Sequence, residues 1–205
     1  MKIYDSSMPE ENVWNSFFNE SSILSRLLLT SGCKDVVEFG CGYGTFTIPA
    51  ARIIKGNVFA IDIEQEMLDS TQEAALQSRL TNIKCILRDF VKEGTGLPGN
   101  SVDYAMVFNI LHYEQPVKLL EEAFGVLRNG GIVGIIHWNY DPETPRGPEM
   151  NIRPRPAQCM QWGEQAGLKM TGDGIIDLPP YHYGMALRKN NATVFNQTLV
   201  SNSKR

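Results

Sequence analysis

Three glycines and three acids are spaced so that they can hold a nucleoside. Gly40, Gly42 and Gly44 recur at every second position in VVEFGCGYGTFTIPAA (36–51), directly after a short apolar run. Glycine at such a turn permits positive φ and lets the backbone approach a ligand closely. The helix expected next adds unpaired N–H groups and a positive dipole end. Asp62 stands 22 residues after Gly40, near the end of the apolar run NVFAIDI, where a carboxylate can accept both hydroxyls of a ribose. Asp89 closes a third run, IKCILRDF, placed for an adenine amino group, with Phe90 beside it to flank the ring. Each acid alone is more often a solvent-facing residue at a strand end. Three successive strand ends carrying ligand-type groups point to an adenosine.

The loop also bears on what the adenosine is attached to. The dinucleotide fingerprint needs a third glycine at the position held here by Thr45. Glu38 lies two residues before the first glycine, where it repels a diphosphate and suits a cationic ligand. A nicotinamide-dependent oxidoreductase therefore accounts for Asp62 but not for Glu38, Thr45 or the Asp89–Phe90 pair. A non-catalytic cofactor-binding module is compatible with all of them.

These groups need a scaffold that brings successive strand ends together. After a helical segment over 9–30, with Trp14, Phe17 and Phe18 on one face, the chain alternates apolar runs with helix-like ones. The expected strands are DVVEFG, NVFAIDI, IKCILRDF, SVDYAMVFNIL and IVGIIHWN; the helices between them include EQEMLDSTQEAALQSRL, with Met67, Ala74, Ala75 and Leu76 inward, and EQPVKLLEEAFGVLR. Pro49 is tolerable in its helix only within the first turn. Alternating strands and helices imply βαβ units, a parallel sheet and right-handed crossovers, with ligands outside the carboxyl ends of the strands. A proline-rich excursion over 140–156, a helix at AQCMQWGEQAG, and two strands with no helix between them, LKMTGDGIIDL and YGMALRK, complete the pattern. The expectation is a Rossmann-like, doubly wound α/β fold. Its seven-stranded sheet is mostly parallel with an antiparallel last strand. A single domain spans 1–189, with a helical cap over 1–31 and a polar tail over 190–205.

Bulk properties narrow the partners. A chain of 205 residues suits one core. A net charge of −4 gives no basic face of the kind nucleic-acid binders carry. Cys33, Cys41, Cys85 and Cys159 are scattered, suggesting neither a zinc site nor a disulfide framework but a reducing cytoplasm. The N-terminus turns polar at once, unlike a signal peptide. No segment reaches the ~18 apolar residues of a membrane span.

Taken together, VVEFGCGYG, AIDIEQEMLD, RDF, VDYAMVFNILHY and VLRNGGIVGIIHW resemble the successive motifs of the class I S-adenosylmethionine-dependent methyltransferases. The likeness is to the small-molecule type that includes ubiquinone and menaquinone biosynthesis enzymes. It covers residues 32–140 closely and 156–189 as fold. It implies S-adenosylmethionine as cofactor, held by Glu38, Gly40, Gly42, Gly44, Asp62, Ile63, Met67, Asp89, Phe90 and Asn109. It also implies transfer to a small-molecule acceptor. Such a transfer is an in-line displacement served mainly by proximity and orientation, with a base only where the acceptor must lose a proton. His112, after the fourth strand, is the candidate base, against the commoner structural role for a loop histidine. His137 and Trp138 are adjacent in the fifth strand, so one faces each side of the sheet. Candidate substrate-side residues are Tyr4, Trp14, Trp138, Arg146, Arg153 and Tyr183. The arginines suit a carboxylate or phosphate, or else serve to pin the excursion.

Overall fold

The computed structural model describes residues 10–190; Tyr4 and the expected tail beyond Asn190 lie outside the described residues. Seven strands form one sheet: β1 (Val36–Phe39), β2 (Val58–Asp62), β3 (Ile83–Leu87), β4 (Val102–Phe108), β5 (Leu127–Trp138), β6 (Leu168–Leu178) and β7 (His182–Lys189). Their order across the sheet is β3-β2-β1-β4-β5-β7-β6. The first five run parallel, and β7 lies antiparallel to both β5 and β6. Strand order reverses between β1 and β4, which opens a crevice at their carboxyl ends.

Helices cover both faces because the strands alternate two apolar sets. Val37, Phe39, Ala105, Val107, Val133 and Ile135 pack beneath α6 (Pro116–Val126) and α7 (Pro156–Gln165). Val36, Val58, Tyr104, Met106, Ile132 and Ile136 pack beneath α2 (Glu20–Arg26) and α3 (Thr47–Ile53). Fully burying each such Val, Leu, Ile or Phe side chain is worth about 1.5–3 kcal/mol, so this sandwich supplies the rigidity on which the site rests. Pro49 is the third residue of α3, inside the first turn as required.

Local details depart from the sequence-based expectation. The helix expected over 9–30 is two short ones, α1 (Glu11–Asn15) and α2, with Asn19 accepting the Ser22 amide as the cap of the second. Helix α4 (Gln65–Gln77) buries Leu68, Thr71 and Ala75, whereas Leu76 is 70% exposed. The i, i+3, i+7 spacing sets that stripe, and Leu76 falls outside it. The third strand stops at Leu87, because the Asp89 carboxylate accepts the Lys92 amide and starts a one-turn helix, α5 (Phe90–Glu93).

Candidate active site

Two buried carboxylates organise the loop after β1. One Asp62 oxygen accepts the Gly42 amide at 3.0 Å and the other accepts the Glu64 amide at 3.0 Å. This ties the glycine turn to the start of α4. Gly40 and Gly42 take φ of +74° and +53°, conformations that L side chains rarely adopt. Burial raises the Asp62 pKa against the opposing pull of the Gly42 and Glu64 amides. Glu38 lies deeper: only 3% exposed, it accepts the Thr47 hydroxyl, and burial pushes its pKa up to about 8.

Above these acids lies a cavity of about 350 Å³ at the β1/β4 switch point. Glu38, Gly40, Gly42, Asp62, Ile63 and Met67 line one part of it; Phe90, Asn109, His112, Trp14 and Trp138 line another. Eleven residues that sequence reasoning singled out thus meet around one space. Asn109 has a φ of +56° and donates its amide N–H to the Ile136 carbonyl at 2.8 Å. Neither polar atom of its side chain has a hydrogen-bond partner among the described residues, although both are buried.

Five other candidates lie elsewhere. Gly44 does not line the cavity; a Cβ there would meet Thr71 at 3.1–3.3 Å, so this glycine lets the loop pack against α4. The Asp89 carboxylate caps α5 and pairs with Lys92 Nζ at 2.9 Å. Arg146 is exposed on the excursion. Arg153 is 6% exposed and donates to the carbonyls of Asn139, Asp141, Arg146 and Pro148 and to the Thr144 hydroxyl, so the loop itself occupies its guanidinium. The Tyr183 hydroxyl donates to the Pro154 carbonyl at 3.0 Å, behind the sheet from Trp138.

The wall away from the acids is aromatic. Trp14 reaches it because Thr45 Oγ1 donates to Asn15 Oδ1 at 2.6 Å, which docks α1 on the glycine loop. Trp14, Phe18, Phe46 and Phe108 then form a chain of edge contacts, with centroids 5.0, 5.1 and 4.8 Å apart. Cys41, Tyr43, Phe46, Phe108 and Ile110 also line the cavity and were not anticipated. Tyr43 and Phe46 carry a readable signal, being aromatic residues next to the glycines. Phe108 and Ile110 look like ordinary strand residues, and only the end of β4 turns them to the site.

On the other face of β5 from Trp138, His137 is wholly buried with its Nε2 3.4 Å from His112 Nδ1. Burial, and then His112 itself, hold the His137 pKa well below the histidine range. Among the described residues no helix is long and apolar enough to cross a membrane.

Comparison with known proteins places this geometry. Residues 36–131 match the family described as a methyltransferase domain. An uncharacterised methyltransferase of Mycobacterium tuberculosis is 32% identical over 114 residues, 55% of this chain and 42% of that protein. A demethylmenaquinone methyltransferase from a Geobacillus strain is 25% identical over 113 residues, 54% of this chain and 47% of its own. The matched region thus spans less than half of these relatives' length. A solved S-adenosylmethionine-dependent methyltransferase from Aquifex aeolicus superposes with a TM-score of 0.76 at 24% identity, covering 92% of this chain and 97% of that one. A [4+2]-cyclase, SpnF, shares the fold with a TM-score of 0.71 at 15% identity, covering 91% and 84%. Motif order, sheet topology and the match to the methyltransferase-domain family over residues 36–131 agree: the chain is similar to the class I S-adenosylmethionine-dependent methyltransferases.

Proposed function

We propose that this chain transfers a methyl group from S-adenosylmethionine to a small-molecule acceptor. The observation that carries the reading is the meeting of Glu38, Asp62 and an aromatic wall around one cavity. The donor set suits the cofactor. Glu38 offers a buried carboxyl to an ammonium group. Each Asp62 oxygen spends one lone pair on a backbone amide and keeps another for a ribose hydroxyl. The Asn109 amide has both a donor and an acceptor to give. Met67 and Phe90 supply apolar surface for a purine.

When bound, the cofactor supplies an activated methyl group on a positively charged sulfur. The residues of this chain hold and shield the reactants. Trp14, Phe46 and Trp138 exclude water from the acceptor end and give a planar or apolar molecule a surface to lie on. His112 takes the acceptor's proton where one must leave. Most of the acceleration comes from placing two reactants side by side in one space. The cavity volume favours a small acceptor over a polymer, and the free thiols suit the reducing cytoplasm expected from sequence. The shared fold of a cyclase is the reason that the site, and not the fold, supports this reading.

The test is to incubate the purified chain with methyl-labelled cofactor and fractionated small-molecule extracts. Label recovered in a small molecule, and lost in Asp62→Ala, is the expected result. Label on protein or nucleic acid alone, or cofactor binding with no transfer to any fraction, overturns the small-molecule reading.

A further inference from the structure

We propose that His137 is a positioning residue that fixes the tautomer of His112, a residue lining the cavity, so that its buried Nε2 carries a lone pair and not a proton. The inference rests on the methyltransferase reading and assigns a role within it to a residue that does not line the cavity.

His137 leaves the sheet on the face opposite Trp138, is 0% exposed, and stands edge-to-face with His112 at 79° and 5.5 Å between centroids. Its Nε2 lies 3.4 Å from His112 Nδ1, a length that hydrogen bonds in ligand-free sites often show. One of these nitrogens donates and the other accepts. If His137 donated, His112 would carry its own proton at Nε2 and could not take another proton there. If His112 donates from Nδ1, its Nε2 is an acceptor, and the contact survives when His112 takes a proton, because an imidazolium donates from both nitrogens. Only the second arrangement is the same before and after proton removal from an acceptor.

The surroundings favour it. The charged and titratable groups that bear on His137 are His112 beyond β4, His182 and Tyr183 on β7, and Arg153 of the excursion. None of these is an acid; only a backbone hydrogen bond at Trp138 favours its charged form, and burial, His112 and the nearby cation of Arg153 outweigh it. A neutral ring has one acceptor nitrogen to give, and the geometry presents Nε2 to His112. His137 thus fills the orienting place of a third group behind a base, through a neutral lone pair instead of a carboxylate.

The chain has three histidines, so a nitrogen-detected spectrum of the ring-labelled protein contains three ring systems. The experiment is long-range nitrogen–proton correlation on the full chain with S-adenosylhomocysteine bound, at a pH above the ordinary histidine range. His112→Gln and His137→Gln serve for assignment. His112 should be protonated at Nδ1 with a bare Nε2. His137→Phe should lose that preference and give a mixture or the opposite tautomer, while His137→Gln, whose carbonyl can still accept, should keep it. His112 found with its proton at Nε2, or unchanged in His137→Phe, overturns the proposal. The wild-type spectrum alone decides the first point if the Phe variant does not fold. Because no acceptor or transfer is needed, failure here is separate from failure of the methyl-transfer reading, which shows as missing cofactor binding or missing transfer.

Discussion

Asp62 Oδ2 and the Gly42 amide nitrogen are 3.0 Å apart, so the acid expected to hold a ribose also holds the glycine loop in shape. Asp62→Ala should therefore fail in two ways. It leaves the Gly42 and Glu64 amides without their acceptor, at a cost of about 1–3 kcal/mol in stability. It also removes the ribose acceptor, weakening cofactor binding by an estimated tenfold or more, ~1.4 kcal/mol. Asp62→Asn keeps one acceptor oxygen and should recover more stability than affinity. Chemical denaturation and calorimetric titration measured on the same samples separate the two effects.

If Glu38 holds the cofactor's ammonium group as proposed, cofactor binding should depend on pH. Its folded-state pKa, about 8, lies above the ordinary 4.5, so the folded protein holds this proton longer than the unfolded chain does. Stability from this group is complete below pH 4.5 and declines as pH rises towards 8. A bound ammonium group favours the charged carboxylate, so binding at pH 6 releases a proton and affinity rises by up to about tenfold per pH unit until it levels off near 8. Glu38→Gln should flatten that profile and should unfold at a higher temperature than wild type at pH 9. A pH series of titrations, with the melting curves alongside, checks both signs.

Gly44 and Thr71 show what spacing can and cannot disclose. The rhythm of three glycines was plain in the sequence, and Gly40 and Gly42 do line the cavity; Gly44 instead makes room for Thr71 of α4. Gly44→Ala combines a φ of +80° with contacts of 3.1–3.3 Å and should cost more than ~1 kcal/mol of stability, by denaturant midpoint, with a smaller loss of cofactor affinity. A large affinity loss at unchanged stability would return Gly44 to the ligand.

Arg153 separates two readings that sequence left open. Its donors are spent on the excursion's own carbonyls, and its guanidinium lies 5.9 Å from the Trp138 ring. Arg153→Lys cannot satisfy that set of acceptors and should destabilise the chain by roughly 2–4 kcal/mol. It should also speed hydrogen exchange over residues 139–152 while leaving cofactor affinity within about twofold, ~0.4 kcal/mol. Unchanged exchange in that segment would contradict the pinning role.

The fold was legible because local patterns agree with one another. Apolar runs ending in Glu38, Asp62 and Asn109 read as parallel strands, and the missing helix between LKMTGDGIIDL and YGMALRK favoured an antiparallel pair; the sheet has both. Part of the cavity's lining was legible for the same reason, since the ends of β1, β2 and β4 bring Glu38, Asp62 and Asn109 to it by register. Other features depend on tertiary packing that no short window contains. Asp89 reads from sequence only as a strand-end acid, whereas its carboxylate also caps α5, which a window ending at its strand does not contain. The aromatic wall depends on Asn15 meeting Thr45, thirty residues away. The His112–His137 contact joins the ends of two neighbouring strands, and neither motif contains it.

The central claim is that this cavity holds S-adenosylmethionine through its ammonium and ribose groups. Calorimetric titration with S-adenosylhomocysteine, with NAD as the comparison, tests it most directly. The expected result is saturable one-to-one binding of S-adenosylhomocysteine, lost or strongly weakened in Asp62→Ala, and no binding of NAD. Binding of NAD in its place, or binding of S-adenosylhomocysteine that Asp62→Ala leaves unchanged, would contradict the account.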